Sequence, residues 1–181
     1  MTKSQFSRLQ IEGGSLCLLL LGSDNAIENN QFTGCRNAAA DVFGDRNRVT
    51  LNRAEGNGTG FTISGTGNVV SRNVALRNGG DGFIISGEEA TLDSNQSKYN
   101  GGEGFLVEGS AHTVSLNVAR SNSIGIMAKF SSFSTFSRNR SDYNRFFGIV
   151  DPDFLVDENV YRANSCTGNK AAASEPPGLC K

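Results

Sequence analysis

Asn68–Gly87 reads NVVSRNVALRNGGDGFIISG. Its apolar residues alternate with a period of two, and each short run ends at Asn or Gly. That pattern is strand and tight turn, not helix. The same pattern repeats on both sides of it. Asn52, Asn73, Asn95, Asn117, Asn139 and Asn159 step by 21, 22, 22, 22 and 20 residues. A second series, Asn57, Asn78, Asn100, Asn122, Asn144 and Asn164, follows five residues behind, and Asn30 extends the first series N-terminally. Asn25 falls outside both columns.

Other columns keep the same register. Ile27, Val49, Val70, Leu92, Val114, Phe136 and Val156 stand three residues before the first Asn column. Gly60, Gly82, Gly104, Gly125 and Gly148 recur, followed by Phe61, Phe83, Phe105, Ile126 and Ile149. Self-similarity at a period of roughly 22 residues marks a solenoid. The fold expected is all-β: a right-handed parallel β-helix of about seven coils with three short strands each, stacked at about 4.8 Å. Residues 1–15 are expected to be an N-terminal segment or partial cap, 16–165 the β-helix and 166–181 a C-terminal capping tail. The chain can also be the C-terminal part of a longer β-helix.

The Asn columns have a physical reason. Asn tolerates a left-handed bend, and stacked amides bond one another and nearby backbone in a ladder. Leucine-rich repeats use Asn ladders at a similar period, but they need L-x-x-L-x-L, which this sequence lacks. The columns resemble those of right-handed parallel β-helix repeat proteins of the pectate-lyase-like superfamily, in the style of NosD-like and mannuronan-epimerase-like repeats. The resemblance covers residues 16 to 165 and concerns the scaffold.

Composition narrows the function. The net charge is −1, with 17 basic and 18 acidic residues and no basic stripe, which argues against nucleic acid. No apolar run reaches membrane-span length; Leu16–Leu21 reads as a buried strand. Cys166 and Cys180 are expected to close a loop of about 15 residues, with free thiols as the alternative, and such a bond implies an oxidising compartment. Cys17 aligns with Gly60 and Cys35 with Asn57, which argues against a bridge between them. The tail around Cys166–Cys180 resembles the closing segment of some secreted bacterial β-helix proteins. The expected location is extracellular or at the cell surface.

Three places could carry chemistry. Asp81 and Glu103 hold the same position in GGDGF and GGEGF, so stacking puts their carboxylates about 5 Å apart. Such a pair is a candidate acid and base on a sugar, or a Ca²⁺ site, against a plain solvated turn. FGIVDPDF, residues 147–154, loosely resembles the Y-G-x-D-P-H-D signature of mannuronan C5-epimerases. Gly148, Asp151 and Pro152 match in kind. One extra residue separates Gly148 from Asp151, and Asp153 stands where that family has His. The resemblance makes Asp151 a third catalytic candidate. The column Thr62, Ile84, Leu106, Met127 and Val150 should point outward, and Ile84, Leu106, Met127 and Val150 form an apolar stripe suited to a substrate or partner. The single histidine, His112, is expected to be a solvent-facing turn residue.

The reading that follows is a non-catalytic, carbohydrate-associated binding or structural module of an exported or surface protein. A polysaccharide-active enzyme (lyase, C5-epimerase or hydrolase), or a fragment of one, is the second reading, and an ice-binding solenoid the third. Polysaccharide is the expected partner, with a weak homodimer or an intrachain segment on the apolar stripe as the other occupant.

Overall fold

The structure is a computed structural model that describes residues 3–154 and 158–181. Its strands form three parallel sheets. The first has eight strands, from Gln5–Ser7 to Val160–Arg162. The second has seven, from Gln10–Glu12 to Arg140–Asp142, and the third has eight, from Leu16–Leu21 to Ala172–Glu175. Every pairing joins a strand to its copy one coil on, as in Phe61↔Phe83↔Phe105. The chain is thus a β-solenoid of eight coils. Residues 5–7 and 10–12 already pair with 26–28 and 31–33, so they form two sides of the first coil.

Each coil bends at three corners, and each corner uses the same device. A residue in the left-handed region precedes an inward ladder residue: Glu89 (φ 55) before Ala90, Ser94 (φ 57) before Asn95, Tyr99 (φ 58) before Asn100. Outside glycine this conformation costs about 1–2 kcal/mol. The ladder offsets that cost. Asn95 Oδ1 accepts both the backbone N–H and the Nδ2–H of Asn73, at 2.9 and 3.0 Å. Its own Nδ2 donates to Asn117 Oδ1 and to the Val70 carbonyl. At the first corner, between the first and second sheets, this chain of bonds runs from Asn30 to Asn164. At the second it runs from Cys35 to Asn169.

Two corrections follow. Asn159 is not in the first column, nor Asn164 in the second. Asn139 donates to Asn164, Asn144 to Asn169 and Ser134 to Asn159, each 25 residues on. The last coil is three residues longer than its neighbours, so the sequence register slips by one corner there. Val156 lies outside the described residues, and Tyr161 takes the register assigned to it, opposite Phe136. Asn25 does belong to a ladder, at the third corner: it accepts from Ser4 N–H and donates to Asn47 Oδ1.

The core is one inward column per strand. Phe61, Phe83 and Phe105 are fully buried, with ring centroids 5.1 and 4.9 Å apart. Glycines beside them leave room for the ladder. A Cβ on Gly104 would lie 2.7 Å from Asn122 Nδ2, and one on Gly82 would lie 2.9 Å from Asn100 Nδ2. The same approach explains the Cys17–Cys35 disulfide, which the sequence reading argued against. Gly82 and Asn100 are 18 residues apart, and so are Cys17 and Cys35. Cysteines in the glycine column of one coil and the ladder column of the next face each other directly. Cys166 and Cys180 are also bonded. Their loop brings Leu179 into the core, and Cys166 N–H donates to the Lys181 carbonyl at 2.8 Å.

Candidate functional site

The outer face of the third sheet carries the apolar column in register: Thr62↔Ile84↔Leu106↔Met127↔Val150. Ile84, Leu106 and Met127 are half-buried and Val150 is buried at 7% exposure, so the stripe is more sheltered than a bare surface. At Val150 the column meets a cavity of about 570 Å³ lined also by Asp151, Pro152, Asp153, Phe154, Glu175 and Pro176. A bulge opposite Val107–Gly109 pushes Lys129 and Phe130 outward beside it. Phe130 is 70% exposed, and its N–H donates to Asp153 Oδ2 at 3.2 Å, tying the bulge to the cavity loop. The sequence reading passed over these two residues. The 23-residue step from Gly125 to Gly148 was the available signal.

Asp81 and Glu103 sit together at the start of this face. Asp81 Oδ1 accepts the Glu103 N–H at 2.7 Å. Burial, then the hydrogen bond and charge of Asp81, push the Glu103 carboxyl up to about 7. Around neutral pH the Glu103 carboxyl therefore exchanges a proton beside the Asp81 side chain, an arrangement able to give or take a proton from a hydroxyl. Calcium takes six to eight oxygens, and among the described residues no group of three or more His, Cys, Asp or Glu is placed to hold a metal.

Asp151 is not brought to this pair. It follows the outward Val150, so alternation turns it into the core, where it is 1% exposed. Its Oδ2 accepts the Tyr161 hydroxyl at 2.6 Å and Asn159 Nδ2 at 3.2 Å. A carboxylate in an apolar column is tolerated because these donors satisfy it.

His112 is a correction: it is buried, not solvent-facing, at 1% exposure. It replaces an Asn in the third-corner ladder. Nδ1 accepts the Ala90 N–H at 3.1 Å, so Nε2 carries the proton towards the Glu108 carbonyl at 3.0 Å. Burial holds its pKa below the ordinary value, which keeps the ring neutral.

Comparison with known proteins follows from this architecture. The sequence model of the NosD family, described as "Periplasmic copper-binding protein (NosD)", matches residues 2–174. The chain belongs to the NosD family. Among curated proteins none matches the sequence. The Azotobacter vinelandii mannuronan C-5 epimerase AlgE4 A-module superposes with a TM-score of 0.75 at 14% identity, covering 94% of this chain and 54% of that one. The periplasmic alginate epimerase AlgG superposes with a TM-score of 0.53 at 15% identity, covering 92% and 46%. The chain spans about half the length of each, and the likeness at this identity concerns the fold.

The copper in the family description does not fit the described residues. The one histidine has both ring nitrogens turned to backbone, and all four cysteines are in disulfides. No helix among the described residues is long and apolar enough to cross a membrane.

Proposed function

We propose that this NosD-family chain is a non-catalytic, carbohydrate-associated β-helix module of an exported protein, with the outer face of its third sheet as the contact surface. One observation carries the reading: the column Ile84–Leu106–Met127–Val150 runs in register across four coils into the 570 Å³ cavity. A column of this kind offers the CH faces of pyranose rings an apolar floor. Ser86 and Glu108 on one side, and Asp81 and Glu103 on the other, offer acceptors for sugar hydroxyls. Two disulfides and the periplasmic description of the family support export.

The test is binding to a panel of soluble oligosaccharides, wild type beside Leu106→Glu and Met127→Glu. Both variants should lose binding with unchanged circular dichroism and melting temperature. Equal binding by all three proteins refutes the surface. Sedimentation of the same proteins tests the other occupant of the column, a second copy of the chain.

A second reading rests on Glu103. A carboxyl with a pKa of about 7 beside Asp81 is suited to acid or base work on a polysaccharide. Product analysis after incubation with polyuronates and neutral glycans tests it. Turnover that vanishes in Glu103→Gln would make the chain an enzyme.

A further inference from the structure

We infer that the glycan taken by the third-sheet face carries free amino groups: a polycationic, de-N-acetylated hexosamine chain, not a polyuronate. The inference rests on the contact surface proposed above and adds the charge of its occupant. The apolar column and its cavity define a groove, and the charges around the groove decide what fits it.

Along the groove the rim is acidic. Asp81 and Glu103 stand at its start, Glu88 and Glu108 along the far side, Asp153 and Glu175 at the cavity. None of these six joins an ion pair among the described residues. The arginines that form ion pairs do so elsewhere. Arg48–Glu28, Arg53–Glu55, Arg77–Glu55 and Arg140–Asp142 lie on the first two sheets and the corner between the second and third, and Arg46–Asp24 at the third corner. On the groove side stand two cations, Lys129, its ammonium 5.4 Å from the Phe130 ring centroid, and Arg145, its guanidinium carbon 5.3 Å from the Phe146 ring centroid, just before the third-sheet strand Phe147–Val150.

The groove is therefore a net negative face, with Asp81, Glu103, Glu88, Glu108, Asp153 and Glu175 along it against Lys129 and Arg145. Carboxylates in a row at coil spacing raise the local concentration of cations. A polyuronate lying on Ile84, Leu106 and Met127 would bring its carboxylates against Glu88 and Glu108, and like charges in contact reject a partner. Ammonium groups at the same places donate charge-assisted hydrogen bonds to those carboxylates. The apolar floor serves the pyranose CH faces of either sugar, so charge alone separates them.

The experiment measures binding of three oligosaccharides of equal length by calorimetry at about pH 6, where the sugar amines are charged. They are a glucosamine oligomer, its fully N-acetylated counterpart and an oligouronate. The glucosamine oligomer should bind about tenfold more tightly than the acetylated one, more weakly as salt rises, and the oligouronate should not bind. The Glu88→Gln variant, altered at an exposed rim position that the contact surface does not use, should narrow that tenfold preference and keep its affinity for the acetylated oligomer. Equal or tighter binding of the acetylated oligomer overturns the amino assignment and leaves the contact face standing. Tightest binding of the oligouronate overturns the charge argument. Absence of binding by all three overturns both readings.

Discussion

The first and third corners of this solenoid solve the same problem with different residues. At the first corner seven asparagines in succession, Asn30 to Asn164, pass hydrogen bonds from coil to coil. The third corner runs Asn25, Asn47, Asn68, Ala90, His112, Ser134, Asn159. Both satisfy the backbone N–H of the coil before, except at Ala90, whose side chain offers Asn68 no acceptor. Nδ1 of His112 and Oγ of Ser134 do so as well as an amide oxygen does, at 3.1 and 2.9 Å. What the third corner keeps is thus one inward acceptor per coil, Ala90 excepted. The amide donor that bonds the next amide is an addition, and only the first and second corners keep it in every coil from Asn57 onwards.

The largest break in this comparison is Asn95→Leu. It removes the acceptor of two Asn73 donors and the donor to Val70 and Asn117. Each buried group left unpaired costs about 1–3 kcal/mol, so denaturant unfolding should show a loss of several kcal/mol. Opening the Cys166–Cys180 loop by Cys166→Ser/Cys180→Ser should come next, at about 3 kcal/mol. Asn25→Leu should cost about 1–2 kcal/mol. Asn25 also accepts and donates, but its ladder ends at Ser4, one coil from the open end. Equal losses for Asn25→Leu and Asn95→Leu would mean that the depth of a ladder in the solenoid does not matter.

How much of this was legible in the sequence depends on what repeats. The two pure Asn columns, the three strands per coil and the stacking of Asp81 on Glu103 follow from a 22-residue step, because register alone brings equivalent positions together. The third ladder was hidden because three residue types, Asn, His and Ser, share one hydrogen-bonding role in it and Ala90 interrupts them. The slip at Asn159 arose because the lengthened last coil kept the five-residue offset between two Asn residues and moved both by one corner. Asp151 was legible in principle, since alternation after Val150 turns it inward. The Cys17–Cys35 bond needed the diagonal contact between the glycine column and the next ladder, which shows only when Gly82 is set beside Asn100.

A finer prediction uses His112. Its pKa is depressed in the folded chain, so the unfolded chain takes up a proton first as pH falls below about 6.5. Wild type should lose stability over that descent. His112→Asn keeps an acceptor for Ala90 N–H and cannot titrate, so its melting temperature should hold steadier over the same range.

The smallest effect concerns Glu103 and runs the other way. Its pKa is raised from 4.5 to about 7, so the fold favours the protonated carboxyl. The stabilisation is complete below about pH 4.5, where both folded and unfolded chains hold the proton, and it is lost as pH rises through 7. Between those values the unfolded chain binds fewer protons than the native one, so stability must fall with rising pH. Glu103 is only half-buried, and solvent screens its repulsion by Asp81, so the slope should be shallow. Glu103→Gln keeps a group able to donate a hydrogen bond to Asp81 at every pH and should flatten the slope. Because the slopes of His112 and Glu103 are opposed, the His112→Asn background is the place to measure it. Melting temperatures of His112→Asn and of His112→Asn/Glu103→Gln, followed from pH 4.5 to 8, should diverge as the pH rises from 4.5 to about 7 and keep a constant gap above it. Parallel curves would show that Asp81 and Glu103 share no proton, and the enzymatic reading would lose the group on which it depends.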